Sequence, residues 1–295
     1  MTERRPYASP AAFRRALTDK LAEMAKTSRW SLAQLQRQIA YDRLLERLYL
    51  VNQGWIVKGA TALLARDIGV RGSLDIDVYR EVAREVAEVD LRGAVAVDIG
   101  DWFRFEIGPS RTVADAAVAT RLPVKAFVGN TAWAEFHVDL VGSDLRMTGT
   151  PEDVPPLARV VMPNVDQHGY RAYPLVDHVA DKVAAIYERH GESRLPSTRF
   201  RDLVDLVAIS TSASVEARPQ RVALESEFGR RNIALPEQFD VPDRSLWEAG
   251  YRAEAARSIL PTARNLDEAI EVFRPFIDPL LVGAAEGTWS PTSRS

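Results

Sequence analysis

The spacing of apolar residues changes period twice along this chain, and that change limits the folds open to it. From Pro10 to Leu48 apolar residues recur every three or four positions: Phe13, Leu17, Leu21 and Met24, then Leu35, Ile39, Leu44, Leu45 and Leu48. Ser9-Pro10 and Ser31 stand where N-caps belong, so two helices are expected. Beyond Trp55 the period falls to two. Strands are expected at Trp55-Ile56-Val57, Leu74 to Tyr79, Val95 to Ile99, Trp102 to Ile107, Leu122 to Val128 and Trp133 to Val141, with short helices over Ala60 to Arg66 and 81–90. The last two strands predict a hairpin through Gly129-Asn130, and a Pro-, Gly- and Asp-rich loop runs from Gly142 to about Tyr173. From Pro174 the helical period returns: Val176, Val179, Val183 and Ile186 share one face, and Pro196-Ser197 precedes a helix carrying Leu203, Leu206, Val207 and Ile209. Further helices are expected at 214–230, 245–258 and 265–281. The order predicts an α+β chain, a mixed sheet flanked by helices followed by a C-terminal helical bundle lobe. With 295 residues, two lobes are expected, 1–150 and 151–295.

Composition narrows the chemistry. The chain has no cysteine, which excludes disulfides, thiolate metal sites and a cysteine nucleophile, and suits a reducing cytosol. No apolar run reaches membrane-spanning length, and the charged N-terminus leads into no signal-peptide core, so a cytoplasmic protein is expected. Net charge is −3, yet residues 1–48 hold ten Lys/Arg against five acids. Such an asymmetry flags a polyanionic partner; the bland reading is a pair of solvated amphipathic helices.

The sharpest local feature is Lys58-Gly59-Ala60-Thr61-Ala62-Leu63, followed by Arg71-Gly72-Ser73-Leu74-Asp75-Ile76-Asp77. Residues two apart on a strand face the same side, so Asp75 and Asp77 project together. Two carboxylates so placed repel unless a cation lies between them, and Mg²⁺, which takes oxygen ligands from carboxylates and phosphates, fits. Asp139, in the apolar strand Phe136-His137-Val138-Asp139-Leu140-Val141, is the best third acid for a two-metal arrangement. Gly59 lets the backbone approach a phosphate closely, and Ser73 can add a hydroxyl donor. His137 is read as facing the opposite side of its sheet, in a structural role. His168, His178 and His190 lack zinc-ligand spacing, and neither a hydrolase elbow nor a Walker A loop is present.

These segments resemble the AbiEii/MenT-type nucleotidyltransferase toxins of type IV toxin–antitoxin systems, within the DNA polymerase β-like nucleotidyltransferase superfamily. That family shows Lys-Gly-Gly-x-x-Leu, Ser/Thr-x-Asp-x-Asp, Asp/Gln-Lys-x-x-Ala and Arg-x-Lys-Asp-Leu-x-Asp-Leu segments. Here they read Lys58 to Leu63, with Ala60 for the second glycine; Ser73 to Asp77; Asp181-Lys182-Val183-Ala184-Ala185; and Arg199 to Leu206, with Arg201 for the lysine. The resemblance spans about residues 10 to 210. It implies a nucleotidyltransferase-type sheet and Mg²⁺, with Mn²⁺ as an alternative, held by Asp75 and Asp77, and Asp139, read from its strand, completes the expected ligand set. It also implies a nucleoside triphosphate contacted by Lys58, Gly59, Ser73 and Lys182. Lys182 would offset triphosphate charge, and Asp205 would either position Lys182 or orient the acceptor. The implied reaction moves a nucleotide to the 3′ end of tRNA, blocks aminoacylation and translation, and is neutralised by a cognate antitoxin. Arg14, Arg15, Arg37 and Arg43 become the candidate contacts to the tRNA backbone. Two rivals stand beside this: a transferase of the same fold acting on a small molecule or protein side chain, and a non-catalytic binding protein.

Overall fold

A computed structural model describes residues 6–113, 119–141, 145–163 and 165–291. Arg4 and Arg5, counted in the basic N-terminal segment, lie outside these. The described chain forms two compact units. The first comprises Met1–Arg66, Ser73–Leu145 and Asp153–Ala172; the second comprises Asp67–Gly72, Arg146–Glu152 and Tyr173–Ser295.

The first unit opens with α1 (Pro10–Thr27) and α2 (Leu32–Val51), started where the caps were expected. Ser9 accepts from the Ala12 N–H, and Ser31 forms a reciprocal capping box with Gln34. The sheet strands in this part of the chain are β1 (Ile56–Lys58), β2 (Asp75–Tyr79), β3 (Phe103–Ile107), β4 (Arg111–Val113), β5 (Ala119–Val128), β6 (Thr131–Leu140), β7 (Glu152–Val154) and β8 (Tyr170–Ala172). They run in the order β3-β5-β6-β2-β1-β8-β7, with β4 on β5. The sheet is mixed: β2 lies parallel to β6 and β1 parallel to β8, while β1–β2, β3–β5 and β5–β6 are antiparallel. Two short helices, α3 (Gly59–Ala65) and α4 (Arg84–Val95), connect its strands. The expected strand over Val95 to Ile99 does not form. Val95 ends α4 with its side chain buried, and the segment beyond it delivers Asp101 into the core.

Helices α1, α2 and α4 pack on one face of this sheet. Phe103, Phe105, Leu122, Val124, Ala126, Val138 and Ile76 point into that core, with Phe13, Leu17, Ile39 and Leu44 from the helices. The alternate residues, among them Arg104, Lys125 and Glu135, are exposed on the other face. The bland reading of α2 as a solvated helix fails. Besides its apolar stripe it buries Gln38, Asp42, Arg43 and Arg47, and each charge is met. Arg43 Nε donates to Asp101 at 2.6 Å, and Arg47 clamps the same carboxylate at 2.7 and 3.0 Å while donating to the Val97 and Phe103 carbonyls. Burial raises Asp101, but Arg47 and Arg43 outweigh it and hold the carboxyl below its usual range. Asp42 accepts from the Leu157 and Ala158 N–H groups, each at 2.8 Å, and from the Tyr170 hydroxyl. It thereby ties the 157–170 loop to the helix. Burial pushes Asp42 up to about 6 in spite of these donors.

The second unit is helical: α5 (Leu175–Tyr187), α6 (Phe200–Ser212), α7 (Ala217–Arg230), α8 (Arg244–Ala256) and α9 (Leu266–Leu281). Asp243 and Asn265 cap α8 and α9 through their side chains. Trp247 is fully buried, its indole N–H donating to the Ser197 carbonyl at 2.9 Å, with Phe200 edge-on to it. A side chain at Gly250 would come within 2.3 Å of the Phe200 ring, so the glycine admits that contact.

Candidate active site

The parallel pairing of β2 with β6 places Asp75 level with His137 and Asp77 level with Asp139. Level residues on adjacent strands face the same side. All four side chains therefore stand on the face opposite α1, α2 and α4. This corrects the expected orientation of His137: being two residues from Asp139 it shares that face, and its Nδ1 lies 3.2 Å from Asp75 Oδ1. Lys58 joins them, since β1 pairs it with Asp77.

The backbone beneath these acids is fixed from several sides. Tyr41 donates its hydroxyl to the Ser73 carbonyl at 2.9 Å, and Thr61 donates to the Asp75 carbonyl at 3.2 Å. Ser73 turns its hydroxyl onto its own strand, donating to the Asp75 carbonyl at 2.8 Å and accepting from the Asp75 N–H. Gly59 has φ +63°, a left-handed conformation that favours glycine, and a Cβ there would meet Asp77 Oδ2 at 1.8 Å. What approaches the Gly59 backbone in this structure is the Asp77 carboxylate. Glycine is required twice over, for its dihedral and for that close approach.

Sequence reasoning missed Arg121. From β5, in register with Asp139, its guanidinium donates Nε to Oδ1 at 2.9 Å and Nη2 to Oδ2 at 2.7 Å, and it reaches Asp75 Oδ2 at 3.6 Å. The hydrogen bond to Asp139 raises the Arg121 pKa most, burial pulls it back, and the charges of Asp139, Asp75 and Asp77 add to the rise, which prevails. Three carboxylates from adjacent strands are an all-oxygen donor set, suited in kind to a hard divalent cation. Among the described residues no three His, Cys, Asp or Glu side chains are drawn together as a metal cage; the positive charge placed between Asp139 and Asp75 belongs to Arg121. The donor set has the chemistry a divalent ion takes, while in this arrangement a guanidinium, and not a cage of three acids, supplies the positive charge between Asp139 and Asp75.

The second unit holds its own charged cluster. Lys182 on α5 is 7% exposed and donates to Asp202 at 2.6 Å and to Asp205 at 2.8 Å, both on α6. Arg71, in the 67–72 segment of the same unit, grips Asp205 through Nε and Nη2 at 2.9 and 2.8 Å. Burial alone would raise Asp205, but Lys182 and Arg71 bring it down to about 2. Burial pulls the Lys182 ammonium down, and Asp202 and Asp205 outweigh it, leaving its pKa raised. The Arg71 contact was not foreseen. Local helical pairing would have joined Asp205 to Arg201, but Arg201 turns to Glu254 instead.

The basic N-terminal segment divides by depth. Arg15, Lys20, Lys26 and Arg29 are exposed, Arg14 and Arg37 half-buried. Arg43 is 2% exposed and engaged by Asp101 and the Asp166 carbonyl, so it is withdrawn from the candidate tRNA contacts.

A mixed sheet with helices on one face and acids from adjacent strands on the other, followed by a helical unit, is the arrangement expected of a nucleotidyltransferase-type protein. The model of the family described as nucleotidyl transferase AbiEii toxin, type IV toxin–antitoxin system, matches residues 43–274, and the chain belongs to that family. Among solved structures it is similar to MenT4, a nucleotidyltransferase toxin of Mycobacterium tuberculosis H37Rv, with 14% identity and a TM-score of 0.51 over 91% of this chain and 99% of that one. It also matches JHP933 from Helicobacter pylori, with 14% identity and a TM-score of 0.48 over 84% of this chain and 93% of the other. No curated protein matches by sequence. The family generally uses a nucleoside triphosphate and a divalent metal, and its toxin–antitoxin setting implies an antitoxin partner. Among the described residues no helix is long and apolar enough to cross a membrane.

Proposed function

We propose that this chain is a Mg²⁺-dependent toxin that transfers a nucleoside monophosphate from an NTP to the 3′ end of tRNA and so blocks translation. The observation that carries the reading is the shared face of Asp75, Asp77 and Asp139, with the Gly59 backbone against Asp77. The reaction is attack of an acceptor hydroxyl on the α-phosphate with departure of pyrophosphate. Asp75, Asp77 and Asp139 would hold the metal, which when bound supplies charge neutralisation on the triphosphate and a lowered barrier to in-line displacement. Lys58, Gly59 and Ser73 would bind the phosphates, the Ser73 hydroxyl leaving the Asp75 carbonyl and the Asp77 carboxylate moving off the Gly59 backbone as they do so. The family resemblance gives Lys182 the role of offsetting triphosphate charge, and within its own unit Asp205, which it contacts at 2.8 Å, positions that ammonium with Arg71 and Asp202. The exposed bases Arg15, Lys20 and Arg29 support a polyanionic acceptor and steer it electrostatically.

The test is incubation of the protein with each α-labelled NTP, Mg²⁺ and total RNA, beside Asp77→Ala. Label on the 3′ end of tRNA, lost in the variant, is expected. Label appearing only on a small molecule or a protein would move the acceptor to the rival transferase reading. No label on any acceptor would leave a binding protein.

A further inference from the structure

The acid face has a charge imbalance that the proposed reaction leaves unexplained. It carries three carboxylates on two adjacent strands, and Arg121 is committed to them rather than to solvent. Its guanidinium satisfies both oxygens of Asp139 and leans towards Asp75. The pairing is built into the sheet, because β5 sets Arg121 level with Asp139. The arginine is nevertheless accessible, its side chain 38% exposed against 11% for Asp139. An accessible arginine can leave at small cost; a buried one could not.

We infer that Arg121 is the resident cation of this face, a positioning residue that holds Asp139 and Asp75 ready and that a divalent ion must displace to bind. The inference rests on the reading of the face as a cation site. Both Asp139 oxygens are occupied in the fork, and a divalent ion bound to either would stand within a few ångströms of the guanidinium. At that distance two cations repel strongly, so ion and guanidinium exclude one another on Asp139. The consequences are an ordered acid face before any ion arrives and an ion affinity lower than three bare carboxylates would give. His137, Lys58 and Asp77 also face this cluster from β6, β1 and β2. None of them bridges Asp139 as Arg121 does.

The test is Mn²⁺ titration of the full chain by electron paramagnetic resonance at constant ionic strength, with Arg121→Gln, Arg121→Lys and Asp77→Asn. Competing ligands are typically coupled by one to two orders of magnitude, so Arg121→Gln should bind Mn²⁺ about tenfold more tightly than the parent. Arg121→Lys should fall between them, because an ammonium can sit beside Asp139 without bridging both oxygens. Added Mn²⁺ should also raise the Tm of Arg121→Gln more than that of the parent. Should Arg121→Gln fail to fold, Arg121→Lys carries the comparison. Equal or weaker binding by the Arg121 variants, with the parent site still weakened by Asp77→Asn, overturns the inference alone. Parent binding indifferent to Asp77→Asn overturns the cation reading of the face itself.

Discussion

The first unit contains two arginine–aspartate assemblies that look alike at the level of a single pair and differ in everything around it. Under the helices, Arg43 and Arg47 share Asp101, all three side chains at most 2% exposed. On the opposite face, one Arg121 serves Asp139 and reaches Asp75, with Asp77 alongside. The buried assembly has two cations for one anion and spends its remaining N–H groups on the Val97, Phe103 and Asp166 carbonyls. It is closed off from solvent. The open assembly has three anions, one cation that bridges two of them and Lys58 on the same face, and its bridging arginine is accessible to solvent. Pair geometry alone therefore does not separate a structural ion pair from a functional one; charge stoichiometry and access do.

The comparison can be broken at several points. The largest effect is expected at Asp77, where alanine should lower nucleotide transfer by about a hundredfold or more while leaving urea stability nearly unchanged. Gly59→Ala should approach the same loss in labelled-NTP assays, because its Cβ would collide with Asp77 Oδ2. Next comes the buried assembly: Asp101→Asn strands two buried guanidinium groups and should cost about 3–5 kcal/mol in urea denaturation. Asp139→Asn leaves behind a guanidinium that is 38% exposed and can turn to water, so it should cost less, on the order of 1 kcal/mol. Equal costs at the two positions would erase the distinction.

Smaller effects sharpen it. Asp205 has its folded pKa lowered to about 2, below an unfolded value of about 3.9. Its contribution to stability is present above about pH 4 and lost as pH falls towards 2. Asp205→Asn should therefore lose on the order of 2 kcal/mol near neutrality and flatten the acid limb between those values in pH-dependent Tm measurements. The smallest change is expected at the surface. Arg15→Glu should weaken tRNA binding a few-fold and reduce the slope of log K against log salt by about one. A substitution at buried Arg43 should act on Tm and not on that slope.

Much of this was legible in the sequence because it is local. The Ser9 and Ser31 caps, the β2 alternation and the hairpin turn at Gly129-Asn130 are each decided within a few residues. The four helical segments after Pro196 follow their apolar spacing. Arg121 was not legible, for a geometric reason. Counting back from the turn pair Val128↔Thr131 sets Arg121 opposite Val138, on the wrong face. A register shift between Ala126 and Phe127 moves the pairing by one residue, to Asp139. A one-residue slip exchanges the two faces of a strand, and no local signal marks this one. Arg71 escaped for a related cause, since its partner Asp205 lies 134 positions away. The depth of Arg43 and Arg47 was hidden too, because a charged residue on a helix reads as exposed until its counter-charge, here Asp101, is known.

The 67–72 and 146–152 segments belong to the second unit although they interrupt the first in sequence. Neither unit, then, is a continuous stretch that one cleavage could release. A nascent chain arrested near residue 150 would already carry Asp75, Asp77 and Asp139, yet lack β8, the strand that pairs with β1 at Val57 and Ala172. Its sheet would end in an unsatisfied row of backbone donors and acceptors, ready to recruit a strand from elsewhere. Truncations for expression or for split-protein complementation should keep residues through Ala172 with the N-terminal piece.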